Sequence, residues 1–216
     1  SIRRRIMNFL AHLHCSPNQE LIRVFNFTGD GFRGNIWKSD ATDSMVLGVE
    51  LHRFIDSFAD EHSLSKLAKQ SIRPKAGKTA PIALDLLGDY FLHKHWNTMS
   101  RLKQTTTSTK IIDFIETCTN EISNNTHLLQ GKASTMWPFM KEGNWLINYS
   151  SIQGIKNAAR GMSRRHPAIA QLTNFFAQLE LNDSEYLAAE QWFIDFYPEL
   201  LAASEDFIHY HPLINK

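Results

Sequence analysis

Apolar side chains recur at helical spacing along almost the whole sequence, and this pattern restricts the fold more than any other feature. The stretch MVLGVELHRFIDSFA (45–59) has apolar residues on one helical stripe, and APIALDLLGDYFLHKHW (80–96) repeats the pattern. Three further stretches share the period, at 110–129, 151–165 and 168–210. No sustained alternation typical of strands accompanies them. The sequence therefore predicts an all-α domain of about seven to nine helices.

The length and charge of the chain limit the classes of protein that it can be. With 216 residues, 43% of them hydrophobic, the chain can bury one sizeable core, and no connector is long enough to separate two domains. A formal net charge of +1 argues against a nucleic-acid binder with a broad phosphate-neutralising surface. No apolar run reaches the ~20 residues of a membrane span. We expect one helical domain over 7–216, with 1–6 as possible upstream sequence.

The cysteine content favours a reducing compartment. Cys15 and Cys118 are the only two cysteines, and they are too few and too far apart in sequence to suggest a disulfide scaffold. We therefore expect a cytoplasmic protein. The sequence gives no indication of the oligomeric state.

Two predicted helices each carry a ladder of imidazole and carboxylate groups spaced four residues apart. The ladders are His52, Asp56 and Asp60 on the first helix and Asp85, Asp89 and His93 on the second. Residues at this spacing stack on one face of a helix, here beside the apolar stripe. If the two helices pack through those stripes, both ladders can face one divalent cation. The alternative is a charged flank with ordinary salt links, and spacing alone does not decide between the two.

The N-terminal third of the chain adds a histidine and an acid to these candidates. NFLAHLH (8–14) contains His12 and His14, which point in nearly opposite directions on a helix, so at most one can join a helical site. We favour His12. TGDGFRG (28–34) is a loop in which glycines flank Asp30, and glycine lets a backbone turn bring an acid close to a metal. The same residues also form ordinary turns.

Several motifs in a fixed order carry a resemblance to a known family. They are NFLAHLH (8–14), the loop with Asp30, Arg33 and Gly34, LHRFID (51–56), LDLLGDYFLHKHW (84–96), GMSRRHP (161–167) and WFIDFYP (192–198). In this order and at this spacing, from Met7 to about Leu201, they resemble the bacterial acyl carrier protein phosphodiesterases, also called holo-ACP hydrolases. The resemblance implies a distorted HD-domain-like helical fold. It also implies a divalent cation, typically Mn²⁺ or another such as Mg²⁺, and hydrolysis of the phosphodiester that joins 4′-phosphopantetheine to the serine of holo acyl carrier protein.

The resemblance implies roles for the candidate residues. The predicted metal ligands are Asp30, His52, Asp56 and Asp89. His12 is predicted to be a further ligand or a proton-transfer residue. The other residues predicted to transfer protons or to orient ligands and water are Asp60, Asp85 and His93. The arginines predicted to bind the substrate are Arg33, Arg53, Arg160, Arg164 and Arg165. The chain departs from the family at Tyr90, where the family has a histidine after Asp89. If that histidine serves in the chemistry, either His93 replaces it from a different face of the helix or this protein differs in rate or substrate.

The substrate that the resemblance implies makes a further demand on the surface. Acyl carrier proteins of this kind are strongly acidic, so a basic patch should steer them to the site despite the neutral overall charge. One candidate patch is the arginine group in AARGMSRR (158–165), and another is the basic connector over 66–78. Two other functions are compatible with the same residues: an HD-type phosphohydrolase acting on a nucleotide or other small phosphate ester, and a non-catalytic helical module that binds an acidic protein.

Overall fold

Twelve α-helices and short 3-10 turns account for most of the residues that the computed structural model describes, which are 9–103, 110–165 and 167–214. The helices are α1 (Phe9–Cys15), α2 (Glu20–Phe27), α3 (Asp43–Glu61), α4 (Ser63–Ala76), α5 (Ala80–Lys94), α6 (Trp96–Leu102), α7 (Ile111–Asn124), α8 (Gly131–Glu142), α9 (Trp145–Asn148), α10 (Ile152–Arg165), α11 (Ala170–Gln178) and α12 (Ser184–His209).

The predicted all-α fold is confirmed, and the number of helices is larger than the predicted seven to nine. The additional helices are short, such as α1, α6 and α9. Helical periodicity cannot show where one short helix ends and the next begins, because adjacent helices with a bend between them keep similar apolar spacing. Residues 1–6, predicted as possible upstream sequence, lie outside the described residues.

The C-terminal helix α12 organises the core. It packs against α1, α3, α4 and α5. Its buried aromatic residues stack on one another, with ring centroids 4.7 Å apart for Phe193 and Tyr197 and 5.3 Å apart for Trp192 and Phe196. Burial of each such side chain contributes about 1.5–3 kcal/mol to stability. Through these contacts α12 fixes the two ladder-bearing helices, α3 and α5, in one unit.

The first helix, α1, is held at its N-terminus by a buried carboxylate. The backbone N–H groups of Leu10 and Ala11 each donate to an oxygen of Asp89, at 3.0 Å. A seven-residue helix is not stable alone, because nucleation fixes several residues for one hydrogen bond. A negative charge at its first turn satisfies two orphan donors and interacts favourably with the helix dipole. Asp89 therefore anchors α1 to α5.

The other end of α1 is held by a buried ammonium group. Lys103 is 5% exposed, and its Nζ donates to the backbone oxygens of His14 and Ser16. Burial lowers the pKa of Lys103 to about 8. Because a lysine in the unfolded chain keeps its proton up to about pH 10.4, the unfolded state binds more protons between these values. The stability contribution of Lys103 should therefore rise with pH in this window.

We expect a measurable pH dependence from this lysine. Relative to a Lys103→Met variant, the free energy of unfolding of the native protein should increase between about pH 8 and about pH 10. Urea denaturation of both proteins at several pH values measures the difference. If the difference stays constant or falls between about pH 8 and about pH 10, the pKa of Lys103 is not lowered by burial.

Candidate metal centre

Three side chains from two helices converge on one point. His12 comes from α1, and His52 and Asp56 come from α3. One ligand atom of each lies within 4.8 Å of the other two. Nε2 of His12 is 3.4 Å from Asp56 Oδ1, and Nε2 of His52 is 3.6 Å from Asp56 Oδ2. Two imidazole nitrogens and a carboxylate oxygen are a suitable set for a divalent transition-metal ion.

The cluster is buried on one side and open on the other. The rings of His12 and His52 stack with centroids 4.3 Å apart, and both residues are buried. The side chain of Asp56 is 18% exposed, so the carboxylate edge of the cluster reaches solvent. A cation held here could therefore keep open coordination positions for water and substrate, as catalytic sites require. His14, the other N-terminal histidine, points away to the hydroxyl of Tyr197, at 2.9 Å.

The glycine-flanked loop passes over the cluster at very short range. A Cβ atom added to Gly29 would lie 2.4 Å from Cβ of His52. Gly31 packs equally closely on Gln130 at the start of α8. From the sequence, we predicted that these glycines allow a backbone turn. The structure adds a steric reason for them, because no side chain fits between the loop and its neighbours. The loop thereby brings Asp30 to the cluster.

The negative charge of Asp30 is only partly compensated by its neighbours. Its Oδ1 is buried and has no hydrogen-bond partner among the residues that the structure describes. Burial raises the pKa of Asp30, and the nearby charge of Asp56 raises it further. The opposing influence comes first from Lys132, in the first turn of α8, whose Nζ lies 3.8 Å from Asp30 Oδ2. Asp30 thus lies close enough to Asp56 and His12 for their charges to affect its pKa, but it is not one of the three side chains whose ligand atoms converge. Its role as a ligand stays a prediction.

Asp85 of the second ladder lies close enough to Asp56 and Asp60 of the first ladder to interact with them electrostatically. Burial raises the pKa of Asp85 well above its usual value, and the charges of Asp56 and Asp60 add to this effect. Asp85 therefore faces the first ladder. Asp60, one turn beyond Asp56, forms an ion pair with Lys69 of α4 at 2.9 Å, and its side chain is 42% exposed. The predicted roles of Asp60 and Asp85 in orienting water or neighbouring ligands stay predictions.

The other two residues of the second ladder, Asp89 and His93, form hydrogen bonds with backbone groups outside the cluster. Both oxygens of Asp89 accept backbone N–H groups of α1, and burial raises the pKa of Asp89 to about 7. Nε2 of His93 bonds to the backbone oxygen of Leu146 at 2.7 Å. The predicted roles of Asp89 as a ligand and of His93 in proton transfer therefore stay predictions, while the geometry gives each residue a structural contact.

The departure from the family pattern lies on another face of α5. The hydroxyl of Tyr90 is 3.3 Å from that of Tyr186, on α12. One residue along a helix turns the side chain by about 100°. Tyr90 therefore packs against α12, while the neighbouring Asp89 faces α1.

The predicted substrate-binding arginines fall into two groups. Arg53 holds the loop after Asp30, since its Nη2 donates to the backbone oxygens of Phe32 and Gly34 at 2.7 and 2.8 Å. Arg33 is exposed in that loop. Arg160 and Arg164 are exposed on α10, and the side chain of Arg165 lies outside the described part of the chain. The structure thus brings two arginines near Asp30 and places the others on a separate helix.

The residues present fit a divalent cation. The charge of Asp56 raises the pKa of both Asp30 and Asp85, and Oδ1 of Asp30 has no hydrogen-bond donor among the described residues. Nε2 of His12 is likewise buried without a hydrogen bond in the described chain. Carboxylates and an imidazole lone pair facing one point are stabilised by a cation, which offsets both the repulsion and the desolvation.

Two residues that contact the site were not identified from the sequence. Lys132 reaches Asp30 from α8, and Asn26 contacts both site histidines from α2. In the sequence, Asn26 is a polar residue within the apolar stretch VFNF (24–27), but that position does not indicate a contact with the histidines. Lys132 carries no signal either, because a lysine in a first helical turn is common on protein surfaces.

The fold and the cluster define a helical protein with a site in which two buried imidazoles face a partly exposed carboxylate. The sequence profile of the family described as "Acyl carrier protein phosphodiesterase" matches residues 7–200. The chain belongs to this family. Proteins named acyl carrier protein phosphodiesterase from Photorhabdus laumondii and Pectobacterium atrosepticum are 29% and 30% identical to it, over 93% and 90% of this chain and 96% of each relative. One from Yersinia pestis is 27% identical over 92% of this chain and 98% of the relative.

Comparison with solved structures gives no match. The all-α fold therefore rests on the described helices, and the HD-domain-like arrangement stays a prediction. Within the described ranges, no helix combines the length and the hydropathy that crossing a bilayer requires.

Proposed function

We propose that this protein hydrolyses the phosphodiester between 4′-phosphopantetheine and the serine of holo acyl carrier protein. The products are apo carrier protein and 4′-phosphopantetheine. The observation that carries the proposal is the convergence of His12, His52 and Asp56 in a chain of the acyl carrier protein phosphodiesterase family. The free, buried state of both cysteines is compatible with action in the cytoplasm, where carrier proteins are expected to be loaded.

His12, His52 and Asp56 would hold the divalent cation, with Asp30 as a further oxygen ligand. When bound, a cation such as Mn²⁺ or Mg²⁺ neutralises phosphoryl oxygens and makes water more acidic. Lys132, beside Asp30, would attract the non-bridging phosphoryl oxygens. Arg53 would keep the loop that carries Arg33 in place.

The departing serine oxygen needs a proton, because an alkoxide is a poor leaving group. Asp85 is suited to this step, since burial and the neighbouring carboxylates raise its pKa and favour the protonated form. Asp60, paired with Lys69, would accept a hydrogen bond from water at the rim of the site.

A basic surface for the acidic carrier extends over two acid-free segments. The sequence contains no Asp or Glu over 62–84 or over 143–179. The first segment forms α4 and the second forms α10 and α11, and α11 packs against both α4 and α10. The exposed basic residues of these helices, among the side chains that the structure describes, are Lys66, Arg73, Lys75, Arg160 and Arg164. Lys75 is paired with Glu185 of α12, at 2.9 Å. Lys69 of α4, which pairs with Asp60, connects this surface to the cluster.

Charge reversal on this surface should weaken carrier binding. We expect the double variant Arg160→Glu and Arg164→Glu to raise KM for holo carrier about tenfold or more at low salt, with little change in kcat. The difference should shrink as salt is added, because screening removes long-range attraction. Steady-state kinetics at several ionic strengths measure both effects. Arg101→Glu with Lys141→Glu, exposed positions on α6 and α8, is the matched control.

Intact-mass spectrometry tests the proposed activity. Holo carrier protein incubated with this protein and Mn²⁺ should lose the mass of the prosthetic group, and a chelator should prevent the loss. An unchanged mass with Mn²⁺ and Mg²⁺, together with hydrolysis of nucleotides or another small phosphate ester, would reassign the protein as a phosphohydrolase of different substrate. Carrier binding without turnover would indicate a non-catalytic module.

A further inference from the structure

Asn26 lies between the two histidines of the cluster and bonds to both. It is fully buried on α2. Its side-chain oxygen is 2.9 Å from Nδ1 of His12, and its backbone oxygen is 2.7 Å from Nδ1 of His52. One residue therefore contacts the inner nitrogen of each imidazole ring.

The orientation of the Asn26 amide follows from its other contacts. Nδ2 lies 2.9 Å from the backbone oxygen of His12, which can only accept a hydrogen bond. Nδ2 also lies 2.8 Å from Oγ of Ser16, and Oγ already donates its single hydrogen to the same backbone oxygen. Both neighbours of Nδ2 are thus acceptors. A flipped amide would place an oxygen against a carbonyl oxygen, so Oδ1 must face His12.

This orientation sets the tautomer of His12. Because Oδ1 of Asn26 has no hydrogen, Nδ1 of His12 must donate to it. In the neutral ring the proton is then on Nδ1, and Nε2 carries the lone pair. Nε2 is the atom that lies 3.4 Å from Asp56.

The backbone of the same residue sets the tautomer of His52. A carbonyl oxygen is an acceptor only, so Nδ1 of His52 must donate to the backbone oxygen of Asn26. Nε2 of His52, 3.6 Å from Asp56, then also carries a lone pair. A metal ion needs such a lone pair, and a hydrogen bond from the other ring nitrogen orients the ring and increases its basicity.

We infer that Asn26 is a positioning residue that places the Nε2 lone pairs of both His12 and His52 toward one cation site. This inference rests on the proposed metal centre and deepens it, since it names the residue that prepares the site before a cation binds. The two bonds differ in kind. The bond to His12 depends on the asparagine side chain, whereas the bond to His52 depends on the backbone and survives substitution.

Nuclear magnetic resonance of the metal-free native protein tests the inference without any variant. Long-range ¹⁵N–¹H correlation spectra at about pH 8, where an ordinary histidine is neutral, report which ring nitrogen carries the proton. We expect the Nδ1–H tautomer for His12 and for His52. Observation of the Nε2–H tautomer at either residue would overturn the inference.

Substitution of Asn26 should change one histidine and leave the other unchanged. In Asn26→Leu, which keeps a similar volume, His12 should lose the exclusive Nδ1–H form, while His52 should keep it. The affinity for Mn²⁺ alone, measured by calorimetry, should fall about 10–100-fold. Ser16→Ala is the matched control, because it removes a buried hydrogen bond of Asn26 but leaves Oδ1 on His12. It should keep both tautomers and an Mn²⁺ affinity close to that of the native protein.

The outcomes separate this inference from the proposed function. Correct tautomers in a protein that does not hydrolyse holo carrier would leave the inference standing and reject the function. Carrier hydrolysis by a protein with the Nε2–H form of His12 would do the reverse. Unaltered Mn²⁺ affinity in a folded Asn26→Leu variant would also overturn the inference, and if that variant does not fold, the spectra of the native protein still decide.

Discussion

Replacement of Asp56 by asparagine should reduce hydrolysis of holo carrier by roughly 10³-fold or more, because the cation loses the carboxylate that lies between His12 and His52 and binds much more weakly. The same change should leave the metal-free fold as stable as before or more stable. The charge of Asp56 raises the pKa of both Asp30 and Asp85, so its removal relieves repulsion between buried carboxylates. Activity and stability are thus expected to change in opposite directions.

Thermal unfolding with and without Mn²⁺ gives a second measure of the same substitution. A ligand at 100 times its Kd stabilises a folded protein by about 2.7 kcal/mol. The native protein should show such a gain, and Asp56→Asn should show little. Glu61→Gln, an exposed change at the end of the same helix, should preserve both the gain and the activity. Native-like activity in Asp56→Asn would contradict the assignment of this residue.

The substitution Gly29→Ala should damage both the fold and the site. The added Cβ would lie 2.4 Å from Cβ of His52, which is held to the backbone and cannot rotate away. Overpacking of this kind costs about 1–3 kcal/mol. Because relief requires the loop or α3 to move, His52 should be displaced from His12, and Mn²⁺ binding should fall together with the melting temperature. Calorimetry of unfolding and of Mn²⁺ binding measures both losses.

A matched glycine substitution serves as the control. An alanine Cβ at Gly161, within α10, would meet no atom within 4 Å among the described residues. Alanine is favoured over glycine inside a helix by about 0.5–1 kcal/mol, so Gly161→Ala should stabilise the protein slightly and leave Mn²⁺ binding unchanged. Equal effects of the two substitutions would show that the close approach of the loop to His52 is not important.

The sequence predicted the parts of the site that depend on local geometry. Helical spacing of four placed His52 and Asp56 on one strip of α3, and the structure brings exactly that pair together with His12. The opposite directions of residues two apart on a helix indicated that at most one of His12 and His14 could join the site. The all-α class followed from the period of the apolar residues.

The remainder of the site depends on contacts between distant segments, which spacing cannot specify. The second ladder has the same spacing as the first, yet Asp89 caps α1 and His93 bonds to Leu146. Its residues therefore differ in role although their pattern is regular. The contributions of Asn26 and Lys132 were likewise not predictable, because each depends on how a separate helix packs against α1 or the loop of Asp30.

A crystal structure of the protein with Mn²⁺ tests the central claim most directly, through the anomalous signal of the ion. We predict an ion bonded to Nε2 of His12, Nε2 of His52 and a carboxylate oxygen of Asp56, at about 2.0–2.4 Å from each. Absence of an ion from this cluster at saturating Mn²⁺, or an ion bound by other residues alone, would contradict it.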